Sequence, residues 1–418
     1  MLTTPAPDVS SATVRPRKLR VVMLVNRVRH GGGAERAMVA LATHLPRDRF
    51  AVTVVTTRRC SGPLLDRLVA SGVRHVALRR RGRLDVAPFR RLIALLRAER
   101  IDIIHAHMFG SNFWGTVLGR LAGVPVLVAH EHSWSYEGQP IRRWLDGLVI
   151  GRLADAFVAV SERDRDRMTI VEGVPPQKSI VLPNPYLPGP RSESANVREQ
   201  LRIPPAAPLI ATVAMLRPEK ALEVLLEAFA ELSTMIPEAM LVIGGEGPCR
   251  EPLEQRARDL GISERVRFMG WCQDVGGLLE AADVAVMSSD REGAPLFALE
   301  CMAHMAPLVS TDVGNVSRLL GDGEGVVTVP RRDPPAMARA LAALLRDPER
   351  RAAQARAAAE RLAPYEIDNV VREFVDLYDG LFEAAFERRT RNPEPDRSAG
   401  ARLTTSSSPA GAGARPGP

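Results

Sequence analysis

The feature that most constrains the fold is a regular alternation of short apolar segments with amphipathic segments along most of the chain. The apolar segments are rich in valine, leucine and isoleucine and lack a polar residue at every second position, which is typical of parallel strands buried on both faces. The segments between them carry apolar residues at helical spacing. In the first half, the pattern predicts helices at 34–44 and 87–100 and strands at 19–25, 50–56, 73–78, 101–105, 124–129 and 156–160.

The alternation restarts after a proline-rich segment at 183–190, which we interpret as a linker between domains. A chain of 418 residues is too long for one ordinary domain. We therefore predict an α/β protein with two doubly wound, Rossmann-like domains, at 19–185 and 186–364, that face each other across a cleft. In the second domain, helices are predicted at 221–233 and 338–361 and strands at 209–214, 240–243, 266–268, 284–287 and 307–310.

Three further segments flank these domains. An amphipathic pattern at 365–388 predicts one more helix. Residues 1–18 and 390–418 have no apolar core and are predicted to be disordered. The first of these is not a secretory signal, and no apolar run approaches the roughly 20 residues of a membrane span, so we expect a cytoplasmic protein, with peripheral membrane contact left open.

The charge is distributed unevenly between the two halves. Residues 15–185 contain 29 Lys and Arg against 14 Asp and Glu, whereas 186–380 contain 21 against 30. The basic half is either an ordinary solvated surface or a face for an anionic partner, such as phospholipid or a phosphorylated acceptor. Nucleic acid is not expected, because aromatic residues do not interleave with the basic ones. The four cysteines are scattered, which argues against a structural zinc site.

Glycines and histidines follow two of the predicted strands in the first half. Gly31, Gly32 and Gly33 stand between a strand and a helix, where the backbone can approach an anion closely, although a plain flexible loop has the same pattern. His105 and His107 lie two residues apart and therefore share one face of a strand. A metal site would need further ligands from His130 and His132, and we expect no metal.

Charged residues follow two strands in the second half. Lys220, with Arg217 three residues earlier, follows a strand and opens a helix, where a cation can neutralise a diphosphate, although a solvated helix start would look the same. Glu292 lies in a loop after a strand, and Glu300 lies in the helix that follows. Carboxylates in this context suit hydrogen bonds to sugar and ribose hydroxyl groups.

These segments together resemble the retaining glycosyltransferase family 4, which has the GT-B fold. The resemblance runs from about residue 19 to 385, and its segments are specific as an ordered set. They are GGGAER, DIIHAHMFGSNFWG, RLAGVPVLVAHEH, RLADAFVAVSE, IVLPNP, LRPEKALEVLLEAF, LVIGGEGP, VRFMGW, DREGAPLFALECMAHMAPLVSTDVG and GEGVVTVPRRDPPAMARALAALLRDPERR. The resemblance implies an acceptor domain at 19–185, a donor domain at 186–364 and a helix at 365–388 that crosses back.

The resemblance also implies roles for single residues. It places His107, Lys220 and Glu292 at the catalytic centre. It implies acceptor contacts for His130 and Glu131. The residues that it implies for donor binding are Gly32, Gly33, Arg217, Lys220, Gly270, Trp271, Gly293 and Glu300. The expected partners are a UDP-sugar or GDP-sugar donor and a glycan, lipid-linked or small-molecule acceptor, with no metal or cofactor.

The sequence departs from the family pattern at three places. Ala214 and Met215 stand where the family usually has Gly-Arg, so the usual diphosphate arginine is missing, and Arg217 is our predicted replacement. Pro185 replaces the glycine of a PNG motif, and Met305 replaces a glycine after the helix of Glu300. An inactive or altered-specificity protein, a sugar-nucleotide epimerase and a non-catalytic sugar-nucleotide-binding protein remain as alternatives.

Overall fold

The computed structural model describes residues 17–28, 32–82, 85–132, 139–189 and 197–391, without the side chain of residue 389. Most of the two segments predicted to be disordered, together with Gly31, lies outside these ranges. Arg17, which falls within the segment predicted at 1–18, is described, and its guanidinium lies 2.6 Å from the Asp102 carboxylate.

The first domain is built on a parallel sheet with the strand order β3-β2-β1-β4-β5-β6-β7. Its strands are β1 Leu19–Val25, β2 Phe50–Thr56, β3 Arg74–Ala77, β4 Ile103–His107, β5 Val126–Glu131, β6 Ala156–Ala159 and β7 Ser179–Val181. Its helices are α1 Gly33–His44, α2 Pro63–Ala70, α3 Ala87–Ala98, α4 Phe109–Ala122, α5 Pro140–Leu145, α6 Gly151–Leu153 and α7 Glu162–Ile170, with a π-helical turn at Asp146–Ile150 between α5 and α6.

The second domain is built on another parallel sheet, with the strand order β10-β9-β8-β11-β12-β13. Its strands are β8 Leu209–Val213, β9 Met240–Gly244, β10 Val266–Gly270, β11 Val284–Met287, β12 Leu308–Thr311 and β13 Val327–Val329. The helices from the linker onwards are α8 Val197–Gln200, α9 Leu222–Met235, α10 Arg250–Asp259, α11 Val275–Ala281, α12 Leu296–Ala303, α13 Val316–Leu320, α14 Pro334–Arg346, α15 Pro348–Ala359 and α16 Ile367–Arg391. The two parallel-sheet α/β domains confirm the predicted fold class.

Burial explains why these segments form the sheets. β4 and β5 are buried along their whole length, as expected for strands covered by helices on both faces. On one face, α4 approaches the sheet closely, because a Cβ at Gly115 would lie only 2.8 Å from the side chain of Ala106. On the other face, Phe374 and Tyr378 of α16 are buried in the same apolar cluster as β1 and α1. Helix α16 therefore completes the core of the first domain.

Two features differ from the prediction. Strands β7 and β13 were not predicted, because each has only three residues and too short an apolar run to stand out. The helix predicted at 338–361 is two helices, since Pro348 cannot continue a helix and the Asp347 side chain accepts a hydrogen bond from the backbone of Arg350 to start the next one. Within the described ranges, no helix has the length and apolar character required to cross a membrane.

Candidate active site

The strand order of each sheet reverses at one point, and several of the predicted site residues lie there. In the first sheet, β1 and β4 are neighbours, Gly33 follows β1 and His107 ends β4. In the second sheet, β8 and β11 are neighbours, Lys220 follows β8 and Glu292 follows β11. Ligands of open α/β sheets bind at the carboxyl ends of strands at such reversal points. The geometry therefore places these residues where a ligand is expected.

Lys220 and Glu292 form an ion pair at this edge of the second sheet. The Lys220 ammonium nitrogen lies 2.5 Å from Oε1 of Glu292, and the Ser289 hydroxyl donates to the same oxygen at 2.7 Å. The two charged side chains are 22% and 12% exposed, so they are sheltered but can be reached. An anionic ligand that enters here can replace Glu292 as the partner of the ammonium group.

The loops after β8 and β11 hold this pair through backbone contacts. The backbone N–H of Asp290 donates to the carbonyl of Glu219 at 2.9 Å, and the Ser288 hydroxyl donates to the carbonyl of Lys220 at 2.9 Å. Ala221 follows with φ +45° and ψ +42°, a left-handed conformation that is costly for a residue with a Cβ. Backbone strain at such a turn is typical of functional sites.

Arg217, the predicted replacement for the missing diphosphate arginine, is held loosely. Its side chain is 54% exposed, and its nearest ion pair, with Glu219, spans 3.9 Å. The backbone N–H of Lys220 donates to the carbonyl of Arg217 at 3.0 Å, but within the part of the chain that the structure describes no side-chain hydrogen bond or ion pair joins Arg217 to Lys220 or Glu292. Lys220 is therefore the better-placed cation of the two.

Glu300 pairs with a residue of the opposite domain. It lies on α12, is 6% exposed, and its Oε1 is 2.5 Å from a guanidinium nitrogen of Arg36 on α1. Gly33 faces Leu296 at the start of α12, 3.8 Å from the position of an added Cβ, whereas Gly32 has open space around it. Arg36 was not predicted as a site residue, although it stands inside the GGGAER segment.

Three histidines of β4 and β5, together with His132 directly after β5, form a buried hydrogen-bonded cluster. His107 Nδ1 lies 3.0 Å from His132 Nε2, and His132 Nδ1 lies 3.1 Å from the Asn184 side-chain oxygen. His105 Nε2 lies 3.2 Å from His130 Nδ1. Burial is the main reason that the pKa of all four imidazoles is lowered, to about 4 for His132, so the cluster is neutral at pH 7.

Three histidines of the same cluster have ring nitrogens close enough together to bind one metal ion. Ring nitrogens of His105, His107 and His130 lie within 4.8 Å of one another. Nε2 of His107 and Nε2 of His130 lack a hydrogen-bond partner among the described residues, but both nitrogens of His105 are engaged, one of them with the Tyr378 hydroxyl at 2.7 Å. A third ligand would therefore require breaking one of these bonds.

Glu131, an implied acceptor residue, lies beside a buried acidic cluster at the end of β5. It is 5% exposed, and both Glu131 and Glu172 lie close enough to Asp146, in the π-helical turn, for their charges to act on its carboxyl group. Burial, and then the charges of Glu172 and Glu131, raise the pKa of Asp146 to about 9, although Arg142 opposes the shift. Asp146 is therefore protonated at neutral pH.

The remaining implied donor residues lie along the second sheet. Gly270 ends β10 with φ +73°, and Trp271 follows it, 38% exposed. Because β10 is two strands from β8, they lie about 10 Å from the loop of Lys220, which is the scale of a nucleoside. Gly293 is buried, and the carbonyl of the next residue, Ala294, accepts a hydrogen bond from Asn184 of the first domain at 3.0 Å.

The fold and the site define a GT-B protein, in which two parallel-sheet domains face a ligand cleft. Solved structures with the same fold include HepE from Anabaena in complex with UDP-glucose, with a TM-score of 0.77 and 19% identity over 87% of this chain and 100% of that chain. Another is WaaG, a glycosyltransferase involved in lipopolysaccharide biosynthesis, with a TM-score of 0.68 and 16% identity over 86% of this chain and 100% of that one.

Sequence comparison identifies the family. The profile described as Glycosyltransferase Family 4 matches residues 31–186, and the profile described as Glycosyl transferases group 1 matches residues 193–361. The chain belongs to glycosyltransferase family 4. Its relatives include an alpha-D-kanosaminyltransferase of Streptomyces kanamyceticus, 31% identical over 63% of this chain and 73% of the relative, and a D-inositol 3-phosphate glycosyltransferase of Corynebacterium urealyticum, 31% identical over 67% and 72%.

Proposed function

We propose that this glycosyltransferase moves a hexose-type sugar from a UDP or GDP donor to a hydroxyl group of an acceptor, with retention of the anomeric configuration. The observation that carries the proposal is the Lys220–Glu292 pair, whose charged atoms lie 2.5 Å apart at the reversal point of the second sheet. The pair offers a cation for a diphosphate and a carboxylate for sugar hydroxyl groups side by side.

Names of similar proteins support a nucleotide-sugar donor. One relative is a UDP-Gal:alpha-D-GlcNAc-diphosphoundecaprenol alpha-1,3-galactosyltransferase of Escherichia coli, 25% identical over 67% of this chain. HepE, which shares the fold, binds UDP-glucose. The names of the relatives differ in their acceptors, so we propose a glycan, lipid-linked or small-molecule acceptor without choosing among them here.

The reaction follows from how the charges are arranged. As the bond between the sugar and the phosphate breaks, its electron pair moves to the diphosphate, and the Lys220 ammonium stabilises that negative charge. Glu292, released from Lys220 by the donor, accepts hydrogen bonds from sugar hydroxyl groups. The acceptor hydroxyl attacks from the face that the diphosphate leaves, and its proton passes to the departing phosphate, so the configuration is retained.

His107 contributes a neutral polar contact in this proposal. Its Nε2 is buried and has no hydrogen-bond partner among the described residues, and its lowered pKa keeps the ring uncharged. An imidazole in this state can form a hydrogen bond to a sugar hydroxyl but does not add charge. In this proposal no metal is required, since Lys220 supplies the positive charge. The activity should therefore be the same with and without a chelator.

The experiment is a screen of UDP- and GDP-sugars for nucleoside diphosphate release with and without acceptor extracts. We expect release that depends on acceptor, is insensitive to chelator and yields a product whose anomeric proton coupling in the NMR spectrum matches that of the donor. Conversion of the donor sugar without acceptor would indicate an epimerase instead. Binding of a donor without any release would indicate a non-catalytic protein.

A further inference from the structure

A cavity of about 610 Å³ lies between the two domains, beside Glu292, and its wall is unusually rich in arginine. We call it the arginine pocket. Both domains contribute to it, since α7 of the first domain and the loops after β11, β12 and β13 of the second all line it. Among the described residues, the arginines that line it are Arg163, Arg167, Arg291, Arg331 and Arg332.

The wall carries more positive than negative charge. Its carboxylates are those of Asp290, Glu292 and Asp312. Asp290 forms an ion pair with Arg332, which also pairs with Glu223 from outside the pocket wall. Glu292 is matched by Lys220, likewise from outside the wall. Among the described residues, five guanidinium groups and the Lys220 ammonium face four carboxylates when Glu223 is included, so the net charge at the pocket is positive and favours an anion.

The pocket lies apart from the positions proposed for the nucleotide. Lys220, Gly270 and Trp271 follow β8 and β10, on one side of β11 in the strand order, whereas the pocket loops follow β11, β12 and β13 on the other side. Glu292 lies where the two regions meet. An anion in the arginine pocket would therefore lie beyond the donor sugar, on the side away from the nucleotide, where an acceptor must approach.

The arginines also link the two domains. A guanidinium nitrogen of Arg163 donates to the carbonyl oxygen of Gly314, in the loop after β12, at 3.3 Å. Arg163 and Arg167 are four residues apart on α7 and so lie on the same face of the helix. An anion bound between this face and Arg331 would contact both domains and would stabilise the closed cleft.

We infer that the arginine pocket binds a phosphate group carried by the acceptor, an inference that rests on the proposed function. Guanidinium groups bind phosphate oxygens through paired N–H donors, which suits a wall built of arginine rather than lysine. A neighbouring cavity of about 660 Å³ shares Arg163, Arg167 and Gly314 and continues to Ile170 and Tyr365. This second cavity has room for the rest of the acceptor.

The first test measures binding of inorganic phosphate by NMR titration, which needs no turnover. We expect the double variant Arg163→Ala/Arg167→Ala to bind phosphate at least tenfold more weakly than the wild type. The matched control is Arg165→Ala, because Arg165 lies on the same helix, pairs with Glu162 and Asp166, and does not line the pocket. Equal affinity in the double variant and in Arg165→Ala would overturn the inference.

The second test compares acceptors with and without phosphate, using the donor found by the screen. One arm compares myo-inositol 1-phosphate with myo-inositol, and the other compares phosphatidylcholine vesicles that contain polyprenyl phosphate with vesicles that contain polyprenol. In one of the two arms, we expect the wild type to bind the phosphorylated compound more tightly than its phosphate-free partner. A preference in the inositol arm would indicate a soluble acceptor phosphate, and a preference in the vesicle arm a lipid-linked one. The double variant should lose that preference. Absence of a preference in both arms would contradict the inference, and it leaves the sugar-transfer proposal intact.

Discussion

The guanidinium of Arg36 and the carboxylate of Glu300 lie 2.5 Å apart across the cleft, so a carboxylate implied to bind the donor ribose is already paired with the opposite domain. Glu300 is 6% exposed, and a buried carboxylate is costly without a counter-charge. A ribose that binds Glu300 must therefore replace or share the guanidinium of Arg36.

Competition between Arg36 and the ribose leads to opposite expectations for two variants. Arg36→Ala should tighten UDP binding by about two- to fivefold, because the ribose no longer displaces a guanidinium. Glu300→Gln should weaken UDP binding by about tenfold, since a charge-assisted hydrogen bond contributes roughly 1.5–3 kcal/mol. Isothermal titration calorimetry with UDP checks both. If both variants bind UDP more weakly, Arg36 is part of the donor site and not its competitor.

Replacing Lys220 should remove most of the activity without unfolding the protein. We expect Lys220→Ala to lower the transfer rate by about 10²–10³, as for the loss of one group that stabilises a developing negative charge. The melting temperature is measured beside the rate, because the variant leaves the Glu292 carboxylate, which is 12% exposed, without its ion-pair partner. Arg256→Ala is the matched control, because Arg256 pairs with Glu227 at 2.6 Å outside the site and should keep the wild-type rate. A wild-type rate in Lys220→Ala would show that another group receives the diphosphate charge.

The raised pKa of Asp146 makes the stability depend on pH. The carboxyl group has an ordinary pKa of 3.8 and a pKa of about 9 in the folded protein. Between about pH 4 and pH 9 the folded state therefore holds a proton that the unfolded chain has released, and the free energy of unfolding falls as the pH rises through this range. Asp146→Asn should raise the melting temperature by several degrees at pH 8 and by clearly less at pH 5. A gain of equal size at both values would show that Asp146 is ionised in the folded state.

The hydrogen bond between Tyr378 and His105 should contribute measurably to stability. The two atoms are 2.7 Å apart in the core, and removing the hydroxyl leaves His105 Nδ1 buried without this partner. We expect Tyr378→Phe to lower the free energy of unfolding by about 1–3 kcal/mol, measured by urea denaturation. A double-mutant cycle with His105→Gln provides the control. Additive losses in the cycle would mean that the two side chains do not interact.

Met305 stands where the resemblance to the family implies a glycine, and it adopts the backbone conformation that glycine favours. Its φ is +51°, and its side chain is 53% exposed, so packing does not compensate for the strain. We expect Met305→Gly to raise the free energy of unfolding by about 0.5–1 kcal/mol in urea denaturation. Met305→Ala keeps a Cβ and should give no such gain. If the alanine variant is stabilised equally, exposure of the methionine side chain and not the backbone is the cause.

The sheets could be predicted from the sequence because the strands of doubly wound sheets are continuous apolar runs. Leu19–Val25 and Phe50–Thr56 are such runs, and the structure has the predicted bounds. Val327–Val329 is too short for periodicity to distinguish it from a loop. The break at Pro348 could have been predicted from the Asp-Pro pair, which both ends one helix and starts the next.

Contacts between distant segments could not be predicted from the sequence. Arg36 and Glu300 are 264 positions apart, and Tyr378 is 273 positions from His105, so no local pattern links their side chains. The residues that follow strands at the reversal points were easier to predict as neighbours, because the strand order itself brings Lys220 near Glu292. The arginine pocket could not be predicted either, because its wall forms only where α7 of the first domain faces the loop after β12 of the second, and that depends on how the two domains pack.

The packing of α16 has a consequence for how the protein is made. Phe374 and Tyr378 complete the core beneath β1 and α1, which are synthesised more than 300 residues earlier. While the ribosome is still translating the second domain, part of the apolar face of the first sheet remains exposed to solvent. We therefore expect chaperones to bind the newly made first domain until residues 367–391 emerge from the exit tunnel.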